Sequence, residues 1–149
     1  MKYNKERSLN KKDISKGIRR VKSLIKKHIE NEDYYSAFIL QSTLLEDRLR
    51  VMYYLHCSIE KKPVDKVNNT TLGGLLYIIE NETLLLHIHG RNEKYHIKGI
   101  SFFNGLRNAV VHQVISNIHS IELKDIISLD FHLTKIESII RELKKEYNQ

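Results

Sequence analysis

The chain of 149 residues has little of what marks several protein classes. Its single cysteine, Cys57, cannot close an internal disulfide, which excludes a secreted disulfide scaffold and makes a reducing cytoplasm the expected setting. One proline, Pro63, and six glycines exclude a collagen-like chain. The longest apolar stretch, between Leu72 and Glu80, holds two glycines and falls far short of the roughly 20 residues of a membrane helix. Residues Met1 to Lys12 are largely polar, so no apolar signal-peptide segment is expected. What remains is a hydrophobic fraction of 41% in a length that suits one domain. Such a domain buries roughly two-thirds of its unfolded surface and needs no staples.

Charge is abundant but unevenly placed. The net charge is +7, yet residues 1–27 carry eleven Lys or Arg against Glu6 and Asp13, a net of +9, and the remainder carries a net of −2. The positive excess therefore sits in a basic arm, residues 1–12, and a first helix. A field of that sign suits a polyanion such as nucleic acid or an anionic membrane surface. The apolar face of the first helix is narrow and lacks Trp and Phe, which argues against the membrane. Its Lys16, Arg19, Arg20, Lys26 and Lys27 are then expected to touch RNA phosphates without reading bases. The plainer reading of the same residues is the solvated face of an amphipathic helix.

Helical spacing runs through the chain. Ile14, Ile18, Val21, Ile25 and Ile29 predict a first helix from about Ile14 to Glu30, with Asp13 as its N-cap. Asn31 to Ser58 is apolar on more than one side, through Ala37, Leu40, Leu44, Val51 and Leu55 and through Phe38, Leu45, Leu49 and Met52. So wide an arc predicts a helix at the centre of a bundle or at a subunit interface. Pro63 and the polar residues after it read as the loop that ends this helix. Thr70 or Thr71 can cap a short third helix, Leu72 to about Asn81, with Leu72, Leu75, Leu76 and Ile79 inward. The alternations Leu86 to His89 and Tyr95 to Lys98 fit a small hairpin, an irregular insert at about 84–98, or a ragged helix. A last helix from about Glu122 to Tyr147 carries Ile126, Leu129, Leu133, Ile136, Ile140, Leu143 and Tyr147. With a fourth helix from Gly99 or Ser101 to about Ile115, the expected fold is all-α, a five-helix bundle forming a single domain over 1–149.

That fourth helix breaks its own pattern. Phe102, Phe103, Leu106, Val110 and Val114 make it apolar, while Asn104, Asn108 and His112 stand at i, i+4 and i+8 and form one polar ridge. Arg107 lies beside the ridge, about 140° round an ideal helix from His112, and its long side chain can reach the same groove. An isolated Arg and His on such a helix are most simply core groups with satisfied partners. Four polar groups on one edge would each need a partner if buried, and that points to a site.

The segment Leu106-Arg107-Asn108-Ala109-Val110-Val111-His112 resembles the signature of the HEPN superfamily: an Arg, a polar residue such as Asn, three more residues, then His. The small helical bundle, Thr71-Leu72-Gly73 at the start of the preceding helix, and the motif on the penultimate helix are similar to that family too, over roughly residues 14–147. The resemblance implies a homodimer in which two motifs face each other across a cleft. It further implies a metal-independent ribonuclease of the toxin-antitoxin or anti-phage defence kind, with a cognate antitoxin or inhibitor as partner. Toxins paired with a minimal nucleotidyltransferase usually carry Tyr two residues after the motif His. This chain has Val114 there and lacks the hydroxyl.

The residue types suit that chemistry. RNA cleavage without metal uses the 2'-hydroxyl as nucleophile, so a base takes its proton and an acid protonates the departing 5' oxygen. His112 is the candidate for that work because imidazole titrates near neutrality. Arg107 would hold the phosphate and stabilise transition-state charge, and Asn108 would orient either group. In a dimer, one His112 serves as base and the other as acid. Asn104, with Glu46 or Arg48 from the second helix, would support them from behind. The alternative for Glu46, Asp47, Arg48 and Arg50 is a solvated strip whose pairs are worth about 1 kcal/mol or less.

No cofactor motif appears: there is no phosphate loop, dinucleotide turn or nucleophile elbow, and no acidic cluster suited to two metals. His87, His89 and His96 are the one set with a conceivable zinc spacing, though no cysteine or carboxylate completes it. His28, His56, His119 and His132 read as surface or boundary residues, and Cys57 as core. The non-catalytic alternative is a helical interaction module, antitoxin-like or operon-repressor-like, whose polar ridge holds a dimer or ligand.

Overall fold

The computed structural model describes residues 11–61, 63, 71–81, 108 and 121–148. They form four helices: α1 (Lys11–Glu30), α2 (Tyr34–Ile59), α3 (Leu72–Asn81) and α4 (Leu123–Tyr147). No strand occurs among the described residues, as the helical spacing predicts. The span 84–98 and most of the expected helix over 99–115 lie outside them. Within the latter, Asn108 is helical.

α2 is the axis of the bundle. It packs most extensively against α4, then against α1, and also meets α3. Phe38, Leu45, Leu49 and Met52 are fully buried on one side, and Ala37, Leu44, Val51, Leu55 and Cys57 are buried as well. This is the fate expected of a helix apolar over so wide an arc. α4 answers it with Ile126, Leu129, Leu133, Ile136, Ile139, Ile140 and Leu143, all buried, a seam at three- and four-residue steps. α1 covers the bundle more lightly, with Ile25 buried and Ile18, Val21 and Ile29 partly so.

The joints follow capping chemistry, with two corrections. The chain is already helical at Lys11, so Lys11 and Lys12 belong to α1 and not to an arm. Asp13 lies within its first turns, not at its cap. α2 begins at Tyr34 because Asp33 caps it, its Oδ1 accepting from the Ser36 N–H at 3.2 Å. The Thr71 hydroxyl accepts from the Gly74 N–H at 3.2 Å, as expected for the cap of α3. At α4, the Glu122 N–H donates to Asp125 Oδ2 at 2.9 Å. Tyr147, expected on the inward stripe, is 53% exposed, because it lies past Leu143, the last buried residue of the seam.

Candidate functional site

Of the motif helix, only Asn108 falls among the described residues. It is helical and exposed. Arg107, His112 and Asn104 lie outside the described residues, as do His87, His89, His96 and His119.

The charged band of α2 departs from the solvated strip that its composition suggests. Arg50 Nη2 donates to Glu46 Oε1 at 2.5 Å, and these side chains are only 20% and 16% exposed. Arg48 is buried further, at 11%; its Nε lies 3.5 Å from Asp47 Oδ2 and makes no hydrogen bond among the described residues. A guanidinium is a permanent cation with five fixed donors, so α2 carries a largely desolvated positive group among acids. Such a group is costly unless its donors meet acceptors. Sequence spacing foretells the Glu46 and Arg50 pair but not its burial, which follows from the packing of α2 on three neighbours.

α1 presents its cations outward. Lys16, Arg19, Arg20, Lys26 and Lys27 are all exposed, on the side away from Ile18, Val21 and Ile25. Between Lys16 and Lys27 the row runs roughly 16 Å, long enough to meet several phosphates of a nucleic acid. Lys22 is turned the other way: its Nζ lies 2.8 Å from Glu137 Oε1 and ties α1 to α4.

Behind that bridge lies a groove of about 500 Å³ between α1, α2 and α4, lined by Ile25, Ile29, Leu123 and Ile127 and by Lys26 and Asp130. Gln41 of α2 also lines it; Gln41 is 2% exposed, and its Oε1 has no hydrogen-bond partner among the described residues. The periodicity gives no warning of Gln41, which sits between Leu40 and Leu44 on the apolar arc. His56 and His132, expected at the surface or at a boundary, are instead buried, 5% and 6% exposed. The His56 ring lies 6.4 Å from that of Tyr53, and the His132 ring 5.7 Å edge-on from that of Phe131. Cys57 is buried and fits its expected core role. Among the described residues no group of three or more His, Cys, Asp or Glu is placed to hold a metal. No helix among them is long and apolar enough to cross a membrane.

Compared with known proteins, the chain matches no family model, no curated protein and no solved structure.

Proposed function

We propose that the chain is a HEPN-like, metal-independent endoribonuclease acting as a homodimer, a toxin or defence effector restrained by a cognate inhibitor. The observation that carries this reading is the motif Arg107-Asn108-x3-His112, interrupting an apolar helical pattern with a polar edge. The helical, exposed Asn108 supports it. So does the outward row of Lys and Arg on α1, which suits a polyanionic substrate. His112 moves the proton, Arg107 stabilises the phosphorane, and Asn108 orients them. Asn104, Glu46 and Arg48 support that set. The low exposure of the Glu46 and Arg48 side chains suits groups that hold others in place.

Incubation of the purified protein with RNA in the presence of a chelator tests this. A cyclic phosphate and a 5'-hydroxyl at the cut ends, lost in His112→Ala and Arg107→Ala, are expected. Replacing Arg19 and Arg20 by Gln should weaken RNA binding and reduce its salt slope by roughly two. Cleavage that persists at the parent rate in both motif variants sinks the assignment. No cleavage of several RNAs favours the interaction module instead, a reading that the exposed apolar residues Leu123, Ile127 and Phe131 of α4 also support. Growth arrest on expression, relieved by a neighbouring gene, would place the protein in a toxin pair.

A further inference from the structure

The groove between α1, α2 and α4 is apolar at depth and polar at its edge. Ile25 of α1 and Ile126 and Leu133 of α4 are buried in its walls, and Gln41 is what α2 contributes at the bottom. Nearer the opening, Leu123 and Ile127 line it while 40% and 62% exposed, an apolar surface that the core leaves in water. Lys22, Lys26, Glu30 and Asp130, all exposed, set two cations against two anions along its edge, and Lys22 is already held by Glu137. The volume of about 500 Å³ lies within the roughly 300–1,000 Å³ of ordinary small-molecule sites, which share this make-up of apolar walls and a few placed polar groups.

We propose that this groove binds a small uncharged molecule with an apolar body and an amide group, whose N–H donates to Gln41 Oε1. A buried acceptor without a donor is destabilising, and Gln41 Oε1 meets none among the described residues. Water is a poor remedy there, because an ordered water needs about two to four polar partners and the other deep residues of the groove are aliphatic. The last torsion of a Gln side chain is broad and nearly two-fold, so the amide can turn its oxygen toward the groove without moving its stem. A carboxamide carries a donor and an acceptor in one plane, and a second amide answers both side by side. A carboxylate, an ester or a tertiary amide has acceptors only and leaves Oε1 as it is.

The edge and the walls agree with that choice. Opposite charges balance along the edge, so a charged ligand gains no surplus of counter-charge there. The apolar body of the ligand covers Leu123 and Ile127, which removes from water the part of α4 that the bundle leaves exposed. None of the groove residues belongs to the Arg107 and His112 motif, so ligand binding and RNA cleavage stand or fall separately.

Nuclear magnetic resonance of the full chain, labelled with nitrogen-15 and titrated with octanamide, N,N-dimethyloctanamide or octanoate at neutral pH, tests it. The signals to follow are those of the Gln41 side-chain amide, identified by their loss in Gln41→Met. Octanamide is expected to shift them and to bind at least about tenfold more tightly than either of the other two, since each of those leaves the buried oxygen unpaired. Gln41→Met should erase that preference while the apolar body still binds, and Ile127→Ala should weaken all three probes severalfold. Met matches Gln in shape and Ile127 is exposed, so neither variant should melt below the parent. Gln41 signals that octanamide leaves unmoved overturn the proposal, for the amide is then satisfied within the protein or by water. Equal affinity for the three probes overturns it too, because the groove then takes up apolar matter without reading the amide. So does a preference for octanamide that survives Gln41→Met, which places the binding elsewhere.

Discussion

Gln41 is the point at which the apolar logic of α2 breaks. An amide at 2% exposure whose carbonyl oxygen meets no hydrogen-bond partner among the described residues forfeits about 1–3 kcal/mol relative to water if it stays unpaired. Gln41→Met keeps the shape and removes the orphaned oxygen, so the melting temperature should hold or rise, read by thermal denaturation. A clear loss of stability would show that the amide has a partner in solution. The same balance explains why His56 and His132 escape a reading from spacing. Histidine is polar enough to be assigned to the surface. Yet both rings are buried, His56 beside Tyr53 on its own helix and His132 beside Phe131 on its own, and that burial depends on which helices lie against α2 and α4.

The corner between α1 and α2 shows how one short segment ends a helix and starts the next. The Glu32 N–H donates to the Ile29 carbonyl at 3.0 Å and the Asp33 N–H to that of His28 at 2.8 Å. With Glu32 at φ 58°, this is a Schellman turn built without glycine. Asp33 then caps α2, and its Oδ2 lies 3.0 Å from His28 Nδ1. The Ser36 hydrogen bonds, with a smaller contribution from His28, hold the Asp33 carboxyl below its ordinary value. A depressed carboxylate stabilises the fold above the ordinary value, and that stability is lost as pH falls through the lowered one. Solvent screening keeps the ionic part small at this half-exposed site. Asp33→Ala is expected to cost about 1 kcal/mol at neutral pH, the usual worth of such a cap. Asp33→Asn should keep most of the cap but flatten the acid limb of stability. Urea midpoints measured from about pH 3 to pH 7 check both.

Across the whole bundle, stability resides in the seam between α2 and α4. Leu129 is fully buried there, and Leu129→Ala should cost about 2–5 kcal/mol, a large part of the roughly 5–15 kcal/mol that holds a domain together. Ile127→Lys, two positions away on the outward face, should leave the urea midpoint of the monomer unchanged. The contrast between the two variants measures which face of α4 belongs to the core. Much of this architecture is legible from local pattern. The three- and four-residue spacings place α1, α2, α3 and α4 because helix formation needs only neighbours along the chain. The wide apolar arc of α2 puts it at the centre because no other position hides every side. Of the candidate site, the chain alone supplies the motif residues Arg107, Asn108 and His112 and the cations of α1, since spacing on one helix sets which groups share an edge. Burial could not be read that way. That Glu46, Arg48 and Gln41 are withdrawn from water, and that Leu123, Ile127 and Phe131 are left in it, depends on which helices lie against α2 and α4. A period of 3.6 residues determines the face on which a side chain stands, but only packing between helices determines what that face meets.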